Sequence, residues 1–117
     1  MKQLEGIRAT GTQKIGTTAD NGDPISMTLA FNASTQEWKM GIEWGDFSLK
    51  GNRIFSSPNL LSQYENIIPF GLAVITEGGG DPFLVNDFST GRVTMYLLTP
   101  EEVVEVQDFY VSIRDEG

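Results

Sequence analysis

Apolar and polar residues alternate along several short stretches of the chain. The clearest runs from Ile25 to Phe31, where Ile25, Met27, Leu29 and Phe31 point one way and Ser26, Thr28 and Ala30 the other. A period of two belongs to a strand with one covered face. Asn32 to Gln36, polar or small, follow as a hairpin loop, after which Trp38, Met40, Ile42 and Trp44 alternate with Lys39, Gly41 and Glu43. These two stretches predict an antiparallel hairpin with one buried face. Trp38 and Trp44 share that face with Met40 and Ile42, a pattern of core residues; the other reading is an interface, where Trp and Met are enriched.

Past Gly45-Asp46, Phe47 and Leu49 continue the alternation, Gly51-Asn52 predicts a tight turn, and Arg53 to Phe55 returns as a short strand. Ser57-Pro58 has the form of a helix start, with serine as the cap and proline at the first helical position. Leu60, Leu61 and Tyr64 lie at one-turn spacing, which predicts a brief helix over Pro58 to Tyr64, ended before Pro69. Phe70 to Thr76 is a continuous apolar run, expected as a strand covered on both faces. Gly78 to Pro82 is a loop, and Arg92 to Leu98 alternates again as a strand. Thr99-Pro100-Glu101-Glu102 forms a capping box that starts a turn or two of helix. Phe109, Val111 and Ile113 alternate with Tyr110 and Ser112 as a final strand.

Glycine recurs about every ten residues between these runs, the spacing of short strands joined by tight turns. The expected fold is all-β (mainly β): a small antiparallel sandwich or partly open barrel with one or two short helices. Residues 1–117 make one β domain, in which 1–22 and 101–117 are candidate extended arms used in assembly. A chain of 117 residues is long enough to bury a core without staples.

Composition narrows the chemistry. There are no cysteines and no histidines, which excludes disulfides and Cys-ligated metal and removes the commonest general base and nucleophile pairs. A net charge of −8 argues against nucleic acid as a partner, because phosphate backbones need clustered cations. No stretch approaches the ~20 apolar residues of a membrane span. The first residues carry Lys2, Glu5 and Arg8 rather than the apolar centre of a signal peptide, so synthesis in a cytoplasm is expected. The last seventeen residues hold six acids and one base, net −5, which leaves −3 for the first hundred. That end reads as a solvated acidic segment or as the face for a basic partner.

Three short motifs read as ordinary turns. Gly11 to Thr17 has the glycines of a phosphate loop with its lysine misplaced. Asp20 to Asp23 lacks the alternating ligands of a calcium loop, and Gly78-Gly79-Gly80-Asp81 is one glycine run, not a repeating array. Sixteen acids make some close carboxylate pair inevitable, so proximity alone does not point to a glycosidase. The expectation is a chain that is not an enzyme, with no cofactor and no metal.

Ser57-Pro58-Asn59-Leu60-Leu61-Ser62-Gln63-Tyr64 followed by Ile68-Pro69-Phe70-Gly71-Leu72-Ala73-Val74 resembles the centre of the small baseplate plug proteins of contractile-tailed phages, the cyanophage type. The preceding hairpin, Met27 to Asn32 and Trp38 to Ile42, and the later strand from Arg92 to Leu97 follow that family's order of elements. The resemblance spans Ile25 to Leu98. It implies a structural virion protein at the tail axis between tube and hub, made in the host cytoplasm and assembled as a three-fold or six-fold homo-oligomeric ring. Hub, tube and tape measure are the implied tail partners. Asn59, Leu60, Leu61, Gln63, Tyr64, Phe109 and Tyr110 are the candidate assembly interface, because Leu60, Leu61 and Tyr64 are not all expected to turn inward from so short a helix. The alternative is a stand-alone β-sandwich module binding a ligand or carbohydrate through Trp38 and Trp44.

Overall fold

A computed structural model of the chain describes residues 1–64 and 66–106. These form β1 (Lys2–Gln3), β2 (Thr12–Thr18), β3 (Pro24–Asn32), β4 (Glu37–Trp44), β5 (Phe47–Arg53), β6 (Gly71–Thr76) and β7 (Val93–Leu98), with a helix α1 over 100–106. Two antiparallel sheets result, β1-β7-β6 and the meander β2-β3-β4-β5. They face each other as a small sandwich, without a closed barrel.

The predicted hairpin is the centre of the larger sheet. Met27 pairs with Ile42, Leu29 with Met40 and Phe31 with Trp38, so every apolar residue of the pattern lands on one face. Ile25, Met27, Leu29, Trp38, Met40 and Ile42 are buried there, and Phe31 is half-buried at the edge. From the smaller sheet, Leu72, Val74, Val93, Met95 and Leu97 close the core, and Leu4, Ile7, Ile54, Leu61 and Phe70 fill its ends.

The first 22 residues are not a free arm. Lys2 and Gln3 pair with β7, and Thr12 to Thr18 pair along the whole of β3. Gln13 is buried, and its amide bonds the backbone of Arg8 twice, as acceptor from the N–H at 2.9 Å and as donor to the carbonyl at 2.8 Å. That fixes the crossing from one sheet to the other with Leu4 and Ile7 inside it. A Gln, a Lys and three Thr around a lone Ile15 leave no apolar alternation to read.

Gly51-Asn52 is likewise no turn between strands. β5 continues through it with a bulge, where the register shifts between Met40 and Ile42. Gly51 takes φ 66°, and a Cβ on Gly41 would lie 3.0 Å from the Leu49 carbonyl oxygen, so both glycines serve the bulge.

The predicted helix over Pro58 to Tyr64 is replaced by an extended crossing and one 3-10 turn, Ser62–Tyr64. Ser57 does not cap a helix. Its N–H and carbonyl exchange bonds of 3.0 and 2.8 Å with Val74, and the Leu60 N–H donates to Leu72 at 2.6 Å. Residues 57–60 therefore cover the outer edge of β6, which blunts it against further pairing.

The capping box is present in full. Thr99 Oγ1 accepts the Glu102 N–H at 3.2 Å, and the Glu102 carboxylate accepts the Thr99 N–H at 3.0 Å. The same carboxylate lies 2.6 Å from the Met1 amino group. Helix α1 packs Val103 and Val106 over Ala73, Tyr96 and Leu98 on the outer face of the smaller sheet. β6 is thus covered on both faces at Ala73, while Ile75 on the same outer face stays 52% exposed. The strand expected at Phe109 to Ile113, and with it Phe109 and Tyr110 of the candidate interface, lies outside the described residues.

Candidate assembly surface

The residues put forward from the sequence scatter in their exposure. Asn59, Leu60 and Leu61 are buried in their own chain, Tyr64 is half-buried, and Gln63 is exposed. The premise behind that interface fails because the segment is not a helix: freed from helical spacing, Leu60, Leu61 and Tyr64 all turn inward. Tyr64 stacks edge-on against Phe47, with ring centroids 5.4 Å apart. Asn59 is a structural tie, its Oδ1 accepting the N–H groups of Leu61 and Leu72, each at 3.1 Å.

Trp38 and Trp44 do not make a joint platform. Trp38 is fully buried, meets Phe31 and Phe88 edge or tilted, and donates its indole N–H to the Leu84 carbonyl at 2.9 Å. Trp44 is half-buried and packs edge-on to Phe70. Neither ring face is paired with the other for a ligand.

The surface that stands out is the connection from β6 to β7, residues 77–92. It carries three consecutive exposed apolar side chains, Phe83 (46%), Leu84 (41%) and Val85 (37%). A crest of this kind on an ordinary loop would collapse or move. Here it is fixed from below by Asp87, whose carboxylate is 1% exposed. Asp87 Oδ2 accepts the N–H groups of Phe83 at 2.7 Å and Leu84 at 2.8 Å. Arg92 grips the same carboxylate with two donors, Nε at 2.8 Å and Nη2 at 3.1 Å, and its guanidinium lies 4.5 Å over the Phe83 ring. Burial pushes the Asp87 carboxyl up, but the bonds from Arg92 and from the Leu84 and Phe83 N–H groups outweigh it and hold the group below the usual aspartate range.

A second tie fastens the start of the loop. Asp81 pairs with Arg53 at 3.1 Å and accepts the Ser56 N–H at 3.2 Å, while the Ser56 hydroxyl meets Thr76 Oγ1 at 2.7 Å. Phe55, between the two residues bound to Asp81, is 43% exposed. The crest is therefore an apolar surface held in one shape by charge-assisted bonds, with the core indole of Trp38 attached to its middle.

The sequence held a signal for this surface. Pro82-Phe83-Leu84-Val85 is an apolar run that follows three glycines and Asp81 and precedes Asp87, with Arg92 beyond. Runs of that length read as core strands, and only the buried Asp87 reverses the reading. No protein-family model matches the chain, and no curated protein matches it.

Proposed function

We propose that the chain is a non-catalytic structural component of a phage tail, a baseplate-plug-like protein of the virion that assembles as a symmetric ring and uses the 83–85 crest to seat on another tail protein. The observation that carries this reading is the crest itself: exposed apolar side chains on a loop already ordered by the Asp87–Arg92 pair. Exposed contiguous apolar surface marks an interaction site, and prior ordering removes the entropy that a partner would otherwise have to supply. The resemblance around Ser57 to Val74 supplies the setting, a tail axis between tube and hub. The β-sandwich supports it, since it offers broad rigid faces for neighbours.

The test is incorporation into particles. Leu84→Ser with Val85→Ser leaves the Phe83–Arg92 contact and the buried core in place, so the protein should fold with an unchanged circular dichroism spectrum. Tails carrying this variant should lack the protein or fail to assemble. Purified tails without the wild-type protein, or full incorporation of the double variant, would overturn the reading.

A further inference from the structure

The outer face of the four-stranded sheet is unlike the other surfaces. Three ranks of paired residues cross it: Lys14–Thr28–Gly41, Thr12–Ala30–Lys39–Arg53, and Gly16–Ser26–Glu43–Ser48. The β3 position of each rank, Thr28, Ala30 or Ser26, is small. With no side chain at Gly41 and β5 displaced by its bulge, the floor sinks into a groove of about 330 Å³ rimmed by Lys39 and Lys50, with Glu43 as its one acid. Lys14, Lys39 and Lys50 are exposed and make no ion pair among the described residues. A chain of net charge −8 thus sets two lysines on the rim of one shallow trough, with Lys14 two strands from Gly41 on the same face.

The opposite side of the sandwich carries the complement. Helix α1 buries Val103 against the smaller sheet, which turns Glu101, Val104 and Glu105 outward. Glu101 stands three residues from Val104 and four from Glu105, which sets an apolar knob beside two carboxylates. Val104 is 52% exposed.

We infer that the groove over Gly41 receives helix α1 of a second copy of this chain, with Val104 in the trough and Glu101 and Glu105 against Lys39 and Lys50. Opposite charges and opposite shapes lie on opposite faces of one molecule. The contact is therefore head-to-tail, and a bound pair keeps one groove and one helix free for further copies. Repetition closes into a ring if the rotation per copy allows it. The inference rests on the ring reading for its biological setting, while the contact itself stands on charge and shape.

The experiment uses two charge-reversed full-length chains, Lys39→Glu/Lys50→Glu and Glu101→Lys/Glu105→Lys. All four positions are exposed, so thermal unfolding should show both variants folded. Native mass spectrometry and light scattering then give the mass of each. The wild type should form a closed oligomer that weakens as salt rises. Each variant alone should lose self-association by about tenfold or more, since rim charges of like sign now meet. An equimolar mixture should recover association between the two chains, because the acidic groove of one takes the basic helix of the other and the basic groove takes the acidic helix. A monomeric wild type, a variant with unchanged mass, or a mixture in which the two chains stay apart would overturn the contact. Its failure differs from failure of the tail reading: tails that contain the protein while its mass ignores both reversals refute the contact alone, and charge-dependent oligomers absent from tails refute the tail alone.

Discussion

The carboxamide of Asn59 lies flat against Gly71, so close that a Cβ at residue 71 would come within 2.6 Å of Asn59 Oδ1. That oxygen is already committed to two backbone N–H groups, of Leu61 and of Leu72. The missing side chain at 71 and the amide at 59 are one device, joining the 57–60 crossing to β6.

Gly71→Ala should therefore act through Asn59. The methyl group has to displace the amide, leaving two buried N–H groups unsatisfied at about 1–3 kcal/mol each. Asn59→Ala should cost a similar amount, and the double variant little more than either alone. Chemical denaturation of the three proteins checks this: additive losses would show that the two residues act separately.

Acid should loosen the crest. The Asp87 carboxyl is held below its unfolded value, so its contribution is fully present above about pH 4 and is lost as pH falls through the folded value. Glu102, held low by the Met1 amino group and its bonds to Thr99, acts in the same direction. Asp87→Asn isolates one from the other. At neutral pH it should lose about 1.5–3 kcal/mol, the worth of bonds to a charged group. Below pH 4 the gap to the wild type should narrow. A constant gap across the whole pH range would mean that the carboxylate charge is irrelevant.

Amide exchange should show the N-terminal segment protected. Thr12 to Thr18 pair along β3, and Gln13 ties down Arg8, so both should exchange slowly in the isolated protein. Gln13→Ala should release residues 8–13 while the β3–β4 hairpin stays protected. Fast exchange throughout 12–18 in the wild type would contradict the pairing of β2 with β3.

Leu29 is fully buried between Met40 and Gln13 in the register of the larger sheet. Leu29→Ala should destabilise by about 2–5 kcal/mol. An unchanged melting temperature would place that face outward.

Strict period two in the apolar residues is the clearest of the legible signals. The β3–β4 hairpin and β7 have it, and both stand as expected. β2 does not, because the inward side of this edge strand carries Gln13, whose amide is satisfied by hydrogen bonds to Arg8 that periodicity cannot register. The 58–64 segment misleads for the opposite reason. Ser57-Pro58 carries a helix-start signature, but the backbone of Ser57 is drawn into pairing with Val74, a partner distant in sequence. The capping box at Thr99 is wholly local and is read correctly. At the crest, Phe83 to Val85 look like interior residues, and only the tertiary pairing of Asp87 with Arg92 holds them outside.

The bond from the Trp38 indole to the Leu84 carbonyl also makes the crest optically visible. Of the chain's two tryptophans, one has its only polar atom fastened to the loop that would seat on a partner. Lifting that loop would strip the indole of its acceptor and admit water beside a ring otherwise enclosed by Phe31 and Phe88. Trp38 emission should then shift to longer wavelength while Trp44, at the other end of β4, stays constant. The molecule carries its own label for the opening of its outer loop, placed in the core where no added dye could sit.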